Sequence, residues 1–306
     1  MTALIPHLPT TVALDQAQRL FHGRGHCYPG LESLTLDLYP PVLLLTTFTT
    51  PEPEQMRLWR QQVEQWWSQA GEGAPLNLVW QNRGVSPAAT LQMAGQVPSP
   101  HWIREGQELF LVDLMRGQNH GLFLDMAEGR RWVRAHARGK RVLNLFAYTC
   151  GFSVAACAGG AESVVNLDMS GGALKTGKRN HAKNKLGSGV RYLAHDLFKT
   201  FGKLKKLGPY DLVVIDPPSF QHGSFIATKD YCRVLRRLPE LLAPDGDALL
   251  CLNAPELSRD FLTAQVAEHA PSLSLVDQLP NPPSFPESDP DRGLKVFHYR
   301  LGRVDG

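Results

Sequence analysis

Long apolar runs are missing from this chain: no stretch approaches the ~18 residues a membrane span needs, so no membrane association is expected. The opening MTALIPHLPTTVALDQAQRL lacks the basic start and apolar block of a secretory signal. Cysteine is sparse. Its five copies, at 27, 150, 157, 232 and 251, include no CxxC pair, which argues against a disulfide framework and against a zinc site. A cytoplasmic location is expected, with thiols packed as small hydrophobes and no metal. Repeats and low-complexity tracts are also absent, and no G-x-G-x-x-G follows a predicted strand, which counts against a dinucleotide-binding site.

What is present is a globular mix, 43% hydrophobic and 20% charged over 306 residues, enough for one large domain or two smaller ones. The net charge of +3 is unevenly spread. Residues 1–100 hold five Lys/Arg against seven Asp/Glu, so the positive excess lies further on. It gathers in GRRWVRAHARGKR (129–141), KTGKRNHAKNK (175–185) and KLKK (203–206). Such clusters suit a polyanion, although any one of them also reads as a solvated helix face.

The pattern divides in two. Residues 1 to about 115 read as a small α+β domain. Short strands are predicted around 23–48, at 76–83 and at 108–114, with a helix over 52–73 whose Trp59, Trp66 and Trp67 fall near helical spacing and are expected in the core. GVSPAATLQMAGQVPSPH (84–101) reads as a loop. Residues 116–306 alternate strands (141–146, 163–168, 190–196, 210–216, 247–253) with helices (from 152, from 170, 228–243, 257–270), and two final apolar runs form a hairpin. Alternation of this kind predicts an α/β fold, a Rossmann-like, mostly parallel sheet with helices on both faces.

Ligands of such sheets sit beyond the carboxyl ends of the strands, and the unusual residues fall there. The first strand carries Asn144 and runs into a turn ending at Gly151. The second ends in Asp168, twenty-four residues past Asn144, where a carboxylate accepts hydrogen bonds from ribose hydroxyls. The third ends in Asp196, followed by Leu197 and Phe198, suited to an adenine amino group and ring. The fourth ends in Asp216-Pro217-Pro218-Ser219-Phe220. There the carboxylate accepts from a base amino or imino group, the prolines fix the backbone, and Phe220 stacks on an exposed base. Each feature alone also reads as a turn; four in register at strand ends are hard to explain that way.

These runs resemble the bacterial 23S rRNA large-subunit methyltransferases that make 5-methylcytosine or 7-methylguanosine. VLNLFAYTCGFSVAACAGGAESVVNLDMSGGAL (142–174) is similar to their cofactor motif and DPPSF to their catalytic motif. RLFHGRGHCYPGLESLTLDLYPPVLLL (19–45) is similar to the start of their small domain, and GQNHGLFLDMAEGRR (117–131) to their G-x-x-T-G-x-F-x-D-Q-R-x-x-R run. The resemblance implies a class I methyltransferase using S-adenosyl-L-methionine (SAM), with RNA, 23S rRNA or the large ribosomal subunit, as partner. By position, Asp168 with Met169 holds the ribose side of SAM, and Asp196 with Leu197 the adenine. The segment Asn144 to Gly151, including Phe146, Tyr148 and Thr149, wraps the methionine moiety, and Asp125 adds a further contact. Asp216, Pro217, Pro218 and Phe220 take the base.

The departures from the family pattern bear on the reaction. No RNA-binding PUA domain is expected ahead of the small domain, which begins near Arg19. The D-Q-R-x-x-R run reads Asp125-Met126-Ala127-Glu128-Gly129-Arg130, and a glycine of the cofactor turn is replaced by Cys150. The nucleophilic Cys of the 5-methylcytosine members is Ala254 here, while Asn253 matches an asparagine of the 7-methylguanosine members. Methylation of a base nitrogen, guanine ahead of cytosine, is therefore expected. A nicotinamide-dependent dehydrogenase, a methyltransferase acting on protein or small molecules, and a non-catalytic binding module are the alternatives.

Overall fold

The computed structural model describes residues 2–218, 220, 221 and 225–302, with the side chains of Phe220 and Gln221 outside the description. The chain forms two compact units, residues up to 124 with 282–289, and residues 125–281 with 290 onward. The sequence places the boundary near residue 115. The observed one falls later because residues 113–124 stay tied to the first unit: Asp113 N–H donates to the His120 carbonyl (3.0 Å), Gln81 Nε2 to Gly117 O (2.9 Å) and Tyr39 Oη to Leu122 O (3.4 Å).

In the first unit, β1 (Gln18–His22), β2 (Leu34–Tyr39), β3 (Val42–Thr47), β4 (Leu78–Asn82) and β5 (Ala89–Ala94) form a sheet in that order. Only the β3–β4 pair is parallel, so a crossover must join those two strands. That crossover is α1 (Pro53–Ala70), opened by Pro53 at its first position. Its buried residues Met56, Trp59, Val63, Trp66, Trp67 and Ala70 recur at helical spacing, and the tryptophans are core. The 84–101 segment is not a plain loop, because β5 lies within it. An edge strand reading Ala-Thr-Leu-Gln-Met-Ala, with its side chains largely open to solvent, gives almost no alternation signal. β6 (His101–Glu105) and β7 (Glu108–Val112) pair as a hairpin turning at Gly106, whose φ is 62°.

Residues 282–289 complete this unit. Phe285 lies 5.1 Å from the His22 ring and beneath the Arg19 guanidinium (4.5 Å), and Ser288 N–H donates to Gly25 O (2.7 Å). A Cβ on Gly25 would sit 1.7 Å from the Pro286 carbonyl oxygen, so only glycine permits this approach.

The second unit opens with α2 (Ala127–His136), followed by β8 (Arg141–Leu145), α3 (Gly151–Ala158), β9 (Ser163–Asp168), α4 (Gly171–Lys183), β10 (Val190–Ala194), α5 (Phe201–Leu207) and β11 (Tyr210–Ile215). A short β12–β13 hairpin (Phe220–Gln221, Phe225–Ile226) leads into α6 (Ala227–Leu235) and α7 (Leu238–Leu241). Then come β14 (Leu242–Leu252), α8 (Arg259–His269), β15 (Leu273–Leu279) and β16 (Lys295–Leu301). The described sheet runs β10-β9-β8-β11-β14-β16-β15, parallel except for β16, which inserts antiparallel between β14 and β15. The expected C-terminal hairpin is this reversal. Side chains of Val142, Leu212, Val214 and Leu249 pack on one face, and those of Leu143, Leu145, Val213, Ile215 and Leu250 on the other. Both faces are thus covered, as a Rossmann-like α/β fold requires.

Three details differ from the sequence reading. α2 and α5 lie in segments noted there for basic charge or family resemblance and not read as helices. The single helix expected over 228–243 is broken into α6 and α7, because Pro239 has no amide hydrogen and its ring excludes a continuous helix through Arg236 and Arg237. No helix among the described residues is long and apolar enough to cross a membrane.

Candidate active site

Chain order reverses beside β8: β9 and β10 extend the sheet one way, and β11 pairs on the other side, with Ile215 opposite Leu145. The loops after β8 and β11 therefore emerge together at a switch point, where open α/β sheets bind ligands.

The loop after β8 is strained. Phe146, Tyr148 and Cys150 have φ of 57°, 48° and 65°, and none is glycine. Left-handed backbone at a residue with a Cβ costs about 1–2 kcal/mol, so surrounding contacts must hold it. Ala147 N–H donates to Leu167 O (3.0 Å), Tyr148 N–H to Asp168 Oδ2 (2.7 Å), and Asn180 Nδ2 to Thr149 O (3.0 Å). The Phe146 ring meets Phe225 edge-on at 5.1 Å. Gly151, the residue expected to supply backbone freedom, simply begins α3. Cys150 stands where the resembling family has glycine, and its left-handed φ gives the reason glycine suits that place. The Cys150 side chain is fully buried against Gly177 of α4.

Asp168 anchors the second loop. Its Oδ2 accepts from Tyr148 and its Oδ1 from Ser170 N–H (2.7 Å), leaving lone pairs for a ligand's hydroxyls. Met169 beside it is 53% exposed, an apolar side chain left open at a strand end. A carboxylate with spare acceptor capacity beside an open thioether fits the ribose and adenine of an adenosyl ligand. At the third strand end, Asp196 Oδ1 caps the following turn by accepting from Phe198 N–H (2.9 Å), with Lys199 Nζ 3.9 Å from its other oxygen. The Leu197 side chain is 3% exposed and packs in the core. Phe198 is covered by the Arg233 guanidinium at 3.7 Å.

Asn144 is likewise interior, at 1% exposure. It begins a directional chain of buried hydrogen bonds, from Asn144 Nδ2 to Asn166 Oδ1 (2.9 Å), from Asn166 Nδ2 to Ser153 Oγ (2.9 Å), and from Ser153 to His181 Nε2 (2.9 Å). His181 Nδ1 ends it on Gly177 O (2.9 Å). Nδ1 faces a carbonyl and must carry the proton, and burial lowers the His181 pKa, so the ring is neutral. The chain ties β8, β9, α3 and α4 together beneath the strained loop. Asn144 Oδ1 finds no hydrogen-bond partner among the described residues.

Asp216 is the most perturbed carboxylate at these strand ends. Burial, and then the charge of Asp125, raise its pKa to about 7, against an opposing pull from Arg130. Asp125 thus lies within electrostatic reach of Asp216. Arg130, 5% exposed, was noted in the sequence as the last residue of an altered run and as part of a basic cluster, not as a partner of the acids. Pro217 is buried and Pro218 partly so. Ser219 and the Phe220 side chain lie outside the described residues, while the Phe220 backbone pairs with Ile226. Tyr231 Oη of α6 donates to the carbonyl of Cys251 on the adjoining strand β14 (3.0 Å). Cys251 is fully buried, and burial, Asp216 and Asp125 together hold its thiol well above the ordinary range. Asn253, at the end of β14, is exposed, and Ala254 is buried with its carbonyl accepting from the buried Lys295 ammonium (3.0 Å).

A switch-point cleft with a strained loop, three strand-end carboxylates and no glycine-rich phosphate loop defines a class I, Rossmann-like methyltransferase site. The chain belongs to the S-adenosylmethionine-dependent methyltransferase family, whose pattern matches residues 18–300. A ribosomal RNA large subunit methyltransferase I of Aeromonas hydrophila is 30% identical over 285 residues, spanning 87% of this chain and 72% of that protein. Among solved structures, a protein assigned as a methyltransferase and complexed with S-adenosylhomocysteine (SAH) is 26% identical with a TM-score of 0.83. The match covers 95% of this chain and 76% of that one. A tRNA m1G37 methyltransferase of M. jannaschii, 12% identical with a TM-score of 0.62 over 90% of this chain and 77% of that one, shares the fold alone. The protein is an enzyme, a SAM-dependent methyltransferase, and SAM is its methyl donor.

Proposed function

We propose that the enzyme methylates a nucleobase in RNA, the substrate being 23S rRNA of the large ribosomal subunit, at a ring nitrogen, with guanine favoured over C5 of cytosine. The RNA reading draws on the relatives named for ribosomal RNA and on the exposed basic residues Lys175, Lys178, Arg179 and Lys183 of α4, with exposed Lys185 just beyond it. The first unit contributes substrate recognition.

SAM, when bound, would supply a methyl on a sulfonium sulfur: the lone pair of a base nitrogen would bond to the methyl carbon in line as the C–S bond breaks, leaving SAH. Asp168 accepts the ribose hydroxyls on lone pairs left by Tyr148 and Ser170, with Met169 against the nucleoside. Asp196 reads the adenine edge, and the Phe146–Gly151 loop, with Tyr148 and Thr149, orients the methionyl end. Asp125 adds a contact beside it. At the acceptor, ionised Asp216 takes a hydrogen bond from a base N–H and offsets the positive charge that develops as the ring nitrogen is alkylated. With a pKa of about 7 this group is poised between its acid and carboxylate forms at neutral pH. Pro217 and Pro218 hold the backbone that presents it, Phe220 stacks on the base, and exposed Asn253 donates to the base edge.

One observation carries the choice of nitrogen over carbon. C5 of cytosine needs a thiolate at C6, yet the matching position is Ala254, and Cys251, the nearest thiol in sequence, is fully buried and held protonated. Tritiated methyl transfer from SAM to rRNA, with ribosomal protein as the parallel acceptor, tests the substrate; label on protein alone refutes RNA. Covalent trapping on 5-fluorocytosine RNA that is lost in Cys251→Ala refutes nitrogen methylation.

A further inference from the structure

The first unit is acid-rich over residues 1–100, yet three of its five cationic residues there converge at one place. The sheet register explains how. His22 lies opposite Thr35, Leu34 opposite Thr47, and Thr47 opposite Asn82, so the residues just beyond β1, β3 and β4 leave the same end of the sheet. These include Arg24, Phe48 and Arg83. The Arg24 guanidinium stands 4.1 Å from the Phe48 ring centroid and that of Arg83 5.0 Å from it. Arg19 is close behind, held bidentate on Asp37 with Nε–Oδ1 at 2.5 Å and Nη2–Oδ2 at 3.1 Å.

A guanidinium held against an aromatic ring is positioned by that contact, and its planar fork of N–H donors is suited to an anion with several oxygens. Arg83 is further oriented by Gln118, whose amide, turned with oxygen inward, accepts from Arg83 Nε and Nη2 at 3.1 Å each. Two cations on one ring repel each other. Burial, then the charges of Arg24 and Arg19, draw the Arg83 pKa down. An anion with several acceptor oxygens relieves that repulsion and meets the oriented donors.

We infer that Arg24 and Arg83, organised on Phe48 and backed by Arg19, form a phosphate-binding site on the first unit that takes a phosphodiester of the RNA substrate. Arg24 is exposed and Arg83 half-buried, so the site is open at one side and built at the other. The inference rests on the RNA reading above, and adds a contact lying outside the basic runs picked out in the sequence.

The test uses the full chain with SAM bound and an rRNA transcript. Arg24→Gln should weaken RNA affinity about three- to tenfold near 0.1 M salt and reduce the slope of log K against log[salt] by about 0.7–0.9, the loss of one phosphate contact. KM for RNA should rise more than kcat falls. Arg24→Lys should retain the slope and lose part of the affinity. Arg83→Gln repeats the test at the half-buried position, and Arg24, being exposed, keeps it decisive if that variant misfolds. Wild-type binding of RNA with an unchanged slope in Arg24→Gln overturns the site and spares the RNA reading. If wild type binds no RNA, pyrophosphate titration followed by thermal unfolding decides. Stabilisation of wild type beyond Arg24→Gln keeps the anion site while the RNA reading falls, and equal response overturns both.

Discussion

Gly177→Ala is the most informative substitution the structure offers. Inside a helix, alanine in place of glycine adds about 0.8–1 kcal/mol of stability, and Gly177 lies well within α4. Here, however, the new Cβ would meet Cys150 Sγ at 2.4 Å, Cys150 Cβ at 2.9 Å and Thr149 O at 3.2 Å. Cys150 is fully buried and caps α3 from a left-handed position, so its sulfur has little room to retreat. Overpacking of this kind costs about 1–3 kcal/mol, which outweighs the helix gain and leaves a net loss of up to about 2 kcal/mol. Cys150→Gly removes both offending atoms. By itself it should be close to neutral, since relief of about 1–2 kcal/mol of left-handed strain is offset by a lost buried side chain of similar worth. In that background Gly177→Ala should stabilise, giving a coupling of about 1–3 kcal/mol. Urea unfolding of the four proteins, read at constant m, measures it, and calorimetric SAM binding reports whether the Thr149 loop has moved. Equal effects of Gly177→Ala in both backgrounds would refute the reasoning.

Four further outcomes are expected. Asp216→Asn should abolish methyl transfer, and wild-type kcat should rise through about pH 7 as the carboxylate ionises. Because the folded pKa, about 7, exceeds the ordinary 3.8, the fold binds this proton more tightly and stability should fall as pH rises from 4 to 7; urea midpoints of Asp216→Asn should show less of that fall. Asp168→Ala should weaken SAM by about ten- to a hundredfold, through lost hydroxyl contacts worth about 1.5–3 kcal/mol for a charged acceptor, while NAD and NADP should stabilise neither protein in thermal-shift assays. Tyr231→Phe should cost about 1–3 kcal/mol, measured by urea unfolding, since the Cys251 carbonyl loses a buried donor. Asp247→Asn should blunt acid unfolding. Burial raises that carboxyl's pKa, but His298, Lys140 and Arg300 together pull it far below the usual range, so its stabilisation is present above the unfolded value near 3.8 and lost as pH falls.

The parts legible in the sequence were those written as periodicity. Continuous apolar runs such as RVLNLF and YDLVVID could only be buried parallel strands, and the tryptophans of α1 repeat on a helical face. β5 has little apolar contrast to read, and α2 and α5 were masked by their charge. At the site, the acids were legible because each closes a strand. Exposure was not: Leu197 and Asn144 look available beside ligand-binding residues, yet Leu197 packs in the core with residues of α5 to α8, and Asn144 is held in the hydrogen-bond chain that runs through α3 and α4. The left-handed conformations at Phe146, Tyr148 and Cys150 left no sign except one missing glycine, because three-dimensional contacts rather than residue type enforce them. The stretch around Phe285 carries no periodicity, and its place in the first unit is set by residues more than two hundred positions away.

That last feature has a consequence for biosynthesis. The first unit is written in two instalments, 1–124 and 282–289, with most of the second unit between them. A ribosome adding about 5–20 residues per second needs on the order of ten to thirty seconds between the end of the first instalment and the arrival of the second. Through that interval the Gly23–Gly25 turn lacks Pro286 and Ser288, and His22 lacks Phe285. The unit made first is therefore finished almost last, after β15 has been synthesised. For the same reason, cutting the gene after codon 124 does not isolate this unit; a faithful excision must graft the eight-residue return segment back on.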